Sequence, residues 1–263
     1  MTSQMVPVAG GQVWARDSGG DGPPVVLLHS GLGDSRMWDG VVPELAADHR
    51  VVCFDVRGYG HSPAPTTHFT TVADLVAVLD HFGLERAVLA GCSLGGLTAI
   101  DLAVTDPGRV TALVLMATGL SGYPWPRDEP YFVEFESAMA QGDRDEVREA
   151  CLRIWAAGGP RDPEVLGQLE SAIAAWFSSN GYPEDAPSAM EKLTGIECPT
   201  IVLLGDLDYA AVVSCNELVA QSIPGCELIR LPGVDHMIAH RAPRAVIDAI
   251  SRVLRRSAPG SGG

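Results

Sequence analysis

Five short, unbroken apolar runs limit this chain more than any other feature: Val25-Val26-Leu27-Leu28, Val51-Val52-Cys53-Phe54, Ala87-Val88-Leu89-Ala90, Leu113-Val114-Leu115-Met116 and Ile201-Val202-Leu203-Leu204. None alternates with polar residues, so each reads as a strand covered on both faces. Helical patterns fill the gaps. Residues 71–82 place Val72, Leu75, Val76 and Leu79 at helical spacing, and Gly83 ends the pattern. Pro243 opens a last helix with the stripe Val246, Ile247, Ile250, Val253 and Leu254. Such alternation predicts an α/β fold, a mostly parallel central sheet flanked by helices. Residues 5–8 and 12–16 are expected to add an antiparallel edge, and Glu227–Leu231 a weaker last strand.

One segment breaks the alternation. Between Met116, which ends the sixth strand, and Thr200 there are helical patterns and no strand pattern. Asp143 starts one helix, with Val147, Cys151, Ile154 and Trp155 along it. Asp162-Pro163 starts another, with Val165, Leu166, Leu169, Ile173 and Trp176. A crossover helix needs far fewer residues than this. Residues 120–195 are therefore expected to form a helical cap inserted after the sixth strand. Residues 1–119 and 196–256 then form the core and 257–263 a flexible tail. A chain of 263 residues is long enough for such a domain and its insertion.

The formal net charge of −15 argues against a nucleic-acid partner and against a polybasic membrane-surface role. No apolar stretch is long enough to span a bilayer, and residues 1–8 do not read as an export signal. The expected location is cytoplasmic, where six singly spaced cysteines stay reduced. Lys192, the only lysine, sits in a polar stretch unsuited to Schiff-base chemistry. With no phosphate loop or dinucleotide fingerprint, no cofactor is expected.

The chemistry centres on Gly91-Cys92-Ser93-Leu94-Gly95-Gly96, which follows a strand and precedes a helix expected from Leu97. The pattern G-x-S-x-G in that setting presents a serine on a strained turn, with small residues where side chains would collide. Ser93 is the candidate nucleophile, and a serine needs a base. His236 stands between the last strand and the last helix and is the candidate. Asp208, after the strand 201–204, is the expected orienting carboxylate, with Asp206 as the alternative. Asp235, adjacent to His236, is a poor orienter because neighbouring side chains diverge. His236 and His240 could be read as an i, i+4 metal pair, but no third ligand accompanies them, so no metal is expected. For a developing oxyanion, Leu94 offers one N–H. A second is expected from the loop His29-Ser30-Gly31-Leu32-Gly33, with Gly31 as first choice and Leu32 as second.

These motifs, with Asp55-x-Arg57-Gly58-x-Gly60-x-Ser62 and the order Ser, Asp, His, resemble those of α/β-hydrolases over essentially the whole chain. The resemblance implies the α/β-hydrolase fold, a Ser93–Asp208–His236 triad, an oxyanion loop at Ser30 and Gly31, and a structural turn at residues 55–62 braced by its arginine. Residues 28–38 and the cap pattern around Arg153-Ile154-Trp155 are similar to 3-oxoadipate enol-lactonases and related small esterases. Here Ser30 replaces the glycine of the commoner His-Gly loop. The implied reaction is cofactor-free hydrolysis of a carboxylic ester or lactone through an acyl-enzyme. The alternatives are carbon–carbon hydrolysis, perhydrolysis or lyase chemistry on the same triad, or a homologue that only binds ligand.

Nine of the 16 aromatic residues lie in the cap: Tyr123, Trp125, Tyr131, Phe132, Phe135, Trp155, Trp176, Phe177 and Tyr182. Most are expected to pack cap helices, Trp176 among them, while Trp155 and Leu32 are expected to touch substrate. The acidic cap disfavours a dianionic substrate unless Arg153 or Arg161 is buried in the pocket. The partner is a small molecule, and the sequence does not set the oligomeric state.

Overall fold

A computed structural model describes residues 1–126, 128–159, 162–179, 181–184 and 186–257. In chain order the strands are β1 (Thr2–Val8), β2 (Gly11–Asp17), β3 (Pro24–Leu28), β4 (Arg50–Phe54), β5 (Ala87–Cys92), β6 (Val110–Met116), β7 (Thr200–Gly205) and β8 (Glu227–Leu231). They form one sheet ordered β1-β2-β4-β3-β5-β6-β7-β8. β1 and β2 pair antiparallel at one edge, and β2 also runs antiparallel to β4. From β4 to β8 all pairs are parallel. Both β1 and β2 exceed the short runs expected from sequence, because backbone pairing extends beyond the apolar pattern that reveals it.

The helices are α1 (Val42–Leu45), α2 (Thr71–His81), α3 (Leu94–Thr105), α4 (Pro130–Gln141), α5 (Arg144–Trp155), α6 (Pro163–Ser179), α7 (Ala210–Ser222), α8 (Ile238–Arg241) and α9 (Pro243–Ser257). Successive residues of the apolar runs serve opposite faces, as the strand period of two requires. Val26, Leu28, Leu89, Leu113 and Leu115 pack with Leu75, Val78 and Leu79 of α2 and with Ile100 and Leu102 of α3. Val25, Leu27, Val88, Ala90 and Val114 pack with Leu45 of α1 and with Val246, Ile250 and Val253 of α9. At the end of the chain, α9 runs through Ser257, and 258–263 of the expected tail lie outside the described residues.

Two expectations need adjustment. The helix after Ser93 begins at Leu94 and not at Leu97. Gly95 and Gly96 are weak helix formers, but close packing of the first turn against β3 overrides their propensity. A Cβ on Gly95 would strike the Leu28 carbonyl, and one on Gly91 would strike the Gly95 carbonyl. The inserted segment also holds α4, a helix not singled out above. Its polar residues leave only a narrow apolar stripe around Phe135, Ala138 and Met139.

α4, α5 and α6 share a small core of Ala138, Val147, Cys151, Leu152, Val165, Leu169 and Ile173, joined by Leu32 and Met237 from loops of the sheet domain. Asp143 caps α5 by accepting from the Glu146 N–H, and the Asp162 side chain accepts from the Glu164 N–H at the start of α6. The chain leaves and rejoins the sheet domain side by side, with the Ser121 carbonyl accepting from the Ala189 and Met190 N–H groups. Below that crossing the Ser121 hydroxyl donates to Asp101 Oδ2 at 2.8 Å, while Asp101 Oδ1 is buried without a hydrogen bond.

Burial pushes the Asp101 carboxyl up to about 6, opposed by the Ser121 bond. The folded state thus disfavours the ionised form. Its stability contribution is whole below the unfolded carboxyl range near 4, falls as pH rises to about 6 and is flat above. Asp101→Asn should therefore be more stable than wild type by roughly 2–3 kcal/mol at pH 8 and nearly equal to it at pH 4, checked by urea denaturation at both. The glycines yield a second expectation. Gly95→Ala should lose about 1–3 kcal/mol or more by overpacking against backbone. Gly167→Ala, in α6 with nothing within 4 Å of the added carbon, should gain about 0.5–1 kcal/mol, checked by thermal unfolding.

Candidate active site

Parallel strands deliver their C-terminal ends to one edge of the sheet, and the expected site residues lie on loops leaving that edge. Ser93 follows β5 with φ 51° and ψ −109°, outside the ordinary regions for a side-chain-bearing residue. Its N–H donates to the Met116 carbonyl at 2.9 Å, and its carbonyl accepts from Gly119 at 3.1 Å and Leu97 at 2.9 Å. These bonds hold the strained turn from both sides. Ser93 is partly exposed, whereas the neighbouring Cys92 is fully buried and burial pushes its thiol far above the usual range. A thiol kept protonated and away from solvent is no nucleophile.

The structure brings His236 and Asp208 together. His236 Nδ1 lies 3.0 Å from Asp208 Oδ1 and 2.9 Å from Oδ2, and both residues are buried. Asp208 Oδ1 also accepts from the Tyr209 N–H at 2.7 Å. Asp206, the alternative, is exposed and accepts from the Gly233 N–H instead. A carboxylate facing Nδ1 favours the tautomer with its proton there, leaving the Nε2 lone pair free to accept. His236 and His240 do not converge, because His240 pairs with Asp162 at 3.0 Å and with Glu164 at 3.1 Å.

The loop after β3 is held at several points. His29 Nε2 accepts from the Val56 N–H at 2.9 Å, so Nδ1 carries the proton and donates to the Ser30 carbonyl at 2.8 Å. That carbonyl also accepts from the Gly33 N–H. In a trans peptide the following N–H points the opposite way, so the Gly31 N–H points away from the donors that grip the Ser30 carbonyl. The Leu32 N–H donates to Ser30 Oγ at 3.1 Å, which corrects its place as second choice for a free donor. Gly31 lies against Leu94: a Cβ built on it would stand 3.7 Å from Leu94 Cβ. The serine in place of the commoner glycine thus uses its hydroxyl to tie the loop.

A cavity of about 600 Å³ begins at Leu94 and is lined further by Tyr59, Phe69, Phe135, Trp155 and Trp176 among others. The Trp155 ring lies 6.4 Å from the His236 ring. Arg57 borders the cavity, but its guanidinium forks onto Asp74 at 2.8 and 2.7 Å and donates to the Ala9 carbonyl. Arg153 is exposed and paired with Glu134 and Glu146, away from the pocket. Arg161 lies outside the described residues, as does the Tyr131 side chain. Leu32 is buried in the core shared by α4, α5 and α6 and borders a second groove beside Met237 and His240.

Three residues escaped the reading of the sequence. Tyr59, in a turn read only as structural, reaches the cavity. Asp235 does not orient His236. It accepts from the Met237 N–H at 3.0 Å and from the Gly158 N–H at 2.9 Å, fastening the histidine loop to the cap. Gln168 of α6 accepts from the Asp34 N–H at 2.7 Å and fastens the loop after β3. Only the Asp235 bond to Met237 is local enough to have been inferred from chain neighbours.

Comparison with known proteins gives the family. The model of the α/β hydrolase fold family matches residues 23–158. A pimeloyl-[acyl-carrier protein] methyl ester esterase of Aeromonas hydrophila is 27% identical, covering 88% of this chain and 95% of that protein. The 3-oxoadipate enol-lactonase 1 of Acinetobacter baylyi is 26% identical, covering 89% and 90%. Among solved structures, the enol-lactonase of Burkholderia xenovorans superimposes with a TM-score of 0.79 at 27% identity, covering 96% of this chain and 100% of that one. With its family match over half the chain, an eight-stranded sheet in this order and a serine at the strained turn after β5, the chain belongs to the α/β-hydrolase fold family.

Proposed function

We propose that this protein is a cofactor-free, cytoplasmic serine hydrolase that cleaves small carboxylic esters or lactones through an acyl-enzyme on Ser93. The observation that carries the reading is the buried contact of His236 Nδ1 with both oxygens of Asp208, at the sheet edge where Ser93 is presented. His236 takes the serine proton on Nε2 as Oγ attacks the carbonyl carbon, and Asp208 stabilises the imidazolium that forms. The Gly31 and Leu94 N–H groups receive the charge developing on the carbonyl oxygen. His236 then gives its proton to the leaving oxygen. Water, activated by the same base, hydrolyses the acyl-enzyme. Nucleophile, base and electrophilic donors all come from the chain, so the reaction needs no cofactor. The esterase and lactonase relatives support ester and lactone bonds as the target class.

In this reading residues 120–195 act as a cap over a core of residues 1–119 and 196–256. Trp155 forms one wall of the acyl pocket, and Leu32 touches substrate from the second groove. The pocket walls are apolar, and its bordering arginine is already neutralised by Asp74. Small apolar esters and lactones should therefore outperform dicarboxylates and long triglycerides.

Ser93→Ala should remove both turnover and labelling by a fluorophosphonate probe while leaving the circular dichroism spectrum unchanged. Labelling that persists in the variant would place the nucleophile elsewhere. Asp208→Asn should lower kcat by about 10⁴-fold, by analogy with loss of the orienting carboxylate in serine proteases. Asp206→Asn should cost far less, and the reverse ranking would overturn the assignment. Trp155→Ala should raise KM for short p-nitrophenyl esters. A wild-type preference for 3-oxoadipate enol-lactone over those esters would overturn the apolar-pocket argument.

A further inference from the structure

Tyr59 stands where the turn of residues 55–62 meets the cavity. It is 7% exposed, and its ring lies 5.1 Å from that of His29. Its hydroxyl oxygen is 3.9 Å from the point where a Cβ on Gly31 would stand, and it shares the cavity wall with Leu94. The phenol is therefore beside the backbone that receives the carbonyl oxygen in the reading above, on which this inference rests.

Trp176 Nε1 donates to the Tyr59 hydroxyl at 2.9 Å. An indole N–H can only donate, so in this pair the phenol is the acceptor, and its own proton must point elsewhere. Among the described residues no side chain or carbonyl accepts that proton. Burial pushes the phenol up to about 12, opposed by the Trp176 bond, so it stays protonated at any working pH. The rest of the wall is mostly apolar: Val56, Phe69, Phe135, Met139 and Trp155. A lone, oriented proton in such a pocket discriminates among ligands. An acyl group that displaces water from the phenol either replaces the lost hydrogen bond or leaves it unmade.

We propose that Tyr59 is a specificity-determining residue, donating a hydrogen bond to an acceptor oxygen on the acyl part of the substrate, a few atoms from the scissile carbonyl. The favoured acyl groups are small and apolar except for one ether, keto or hydroxyl oxygen in that position. Trp176 comes from α6, so the cap sets this preference by fixing the phenol as acceptor on one side.

The test compares p-nitrophenyl 3-methoxypropanoate with p-nitrophenyl pentanoate, which differ by an oxygen in place of a methylene. After division by each ester's alkaline hydrolysis rate, wild-type kcat/KM should favour the methoxy ester by about tenfold, the effect of one hydrogen bond to a buried donor. Tyr59→Phe should bring the ratio to about one. That variant also strands the Trp176 N–H, so Tyr59→Phe/Trp176→Phe is the control, with neither the phenol proton nor a stranded donor. A ratio that stays near one in the double variant supports donation to substrate, and recovery of the wild-type ratio would overturn it. An unchanged ratio in Tyr59→Phe, with turnover of both esters intact, would sink this proposal alone. No turnover of either ester, together with no fluorophosphonate labelling at Ser93, would sink the hydrolase reading and this proposal with it.

Discussion

Backbone at φ 51° on a residue with a side chain persists only when its surroundings hold it there, at a cost of about 1–3 kcal/mol. At Ser93 the holding comes from three neighbouring segments. β6 accepts from its N–H, and the chain beyond β6 and the first turn of α3 donate to its carbonyl. The approach of α3 to the sheet is possible because Gly91, Gly95 and Gly96 have no side chains to intervene. Gly95 rests on the backbone of Leu28, and Leu28 leads directly into His29 and the loop that carries Gly31. The close crossing that creates the turn therefore also sets the distance between Ser93 and the proposed oxyanion donors.

A second constraint comes from the inserted helices. Leu32 from one loop and Met237 from another are buried in the cap's own core. Gln168 holds the Asp34 N–H, Asp235 holds the Gly158 N–H, and Arg241 reaches Asp162 and the Gly159 carbonyl. The inserted segment thus grips both loops on which the proposed chemistry depends, and does so largely with polar groups at defined geometry. A change in α5, α6 or their connection should be felt at the loop of Gly31 and at the loop of His236 together.

Charge around the cavity is neutralised by local pairing. Arg57 is nearly fully buried, but Asp74, the Ala9 carbonyl and the Phe69 ring, 4.7 Å from the guanidinium, absorb its charge. Burial raises the Asp74 carboxyl while Arg57 pulls it back down. Asp34 goes the other way: the Arg36 guanidinium, with a hydrogen bond from Ser171 of the cap, outweighs burial and holds its carboxyl at about 2. The ion pair at Arg57 braces the turn that carries Tyr59 without lending the pocket a free cation.

How much of this was legible in the sequence follows from the range of each interaction. The apolar runs, the helix stripes and the glycines around Ser93 were readable because periodicity and turn chemistry are carried by near neighbours in the chain. The sequence put Asp208 ahead of Asp206, but the contact that distinguishes them lies beyond local pattern. The two differ by two positions in one loop, and only a contact across 28 residues separates the one that meets His236 from the one that meets Gly233. The sequence put Gly31 ahead of Leu32 as a donor, and the bond from the Leu32 N–H to Ser30 Oγ is the tertiary reason for that order. Tyr59 had no signal of its own, because its significance lies in a hydrogen bond from Trp176, 117 residues away. The sequence by itself determined the layers of the fold, the strained serine and the order of the candidate residues. The tertiary structure decided which carboxylate meets His236, which loop N–H Ser30 takes up and which hydroxyl Trp176 bonds, since those depend on distances between segments that no local pattern encodes.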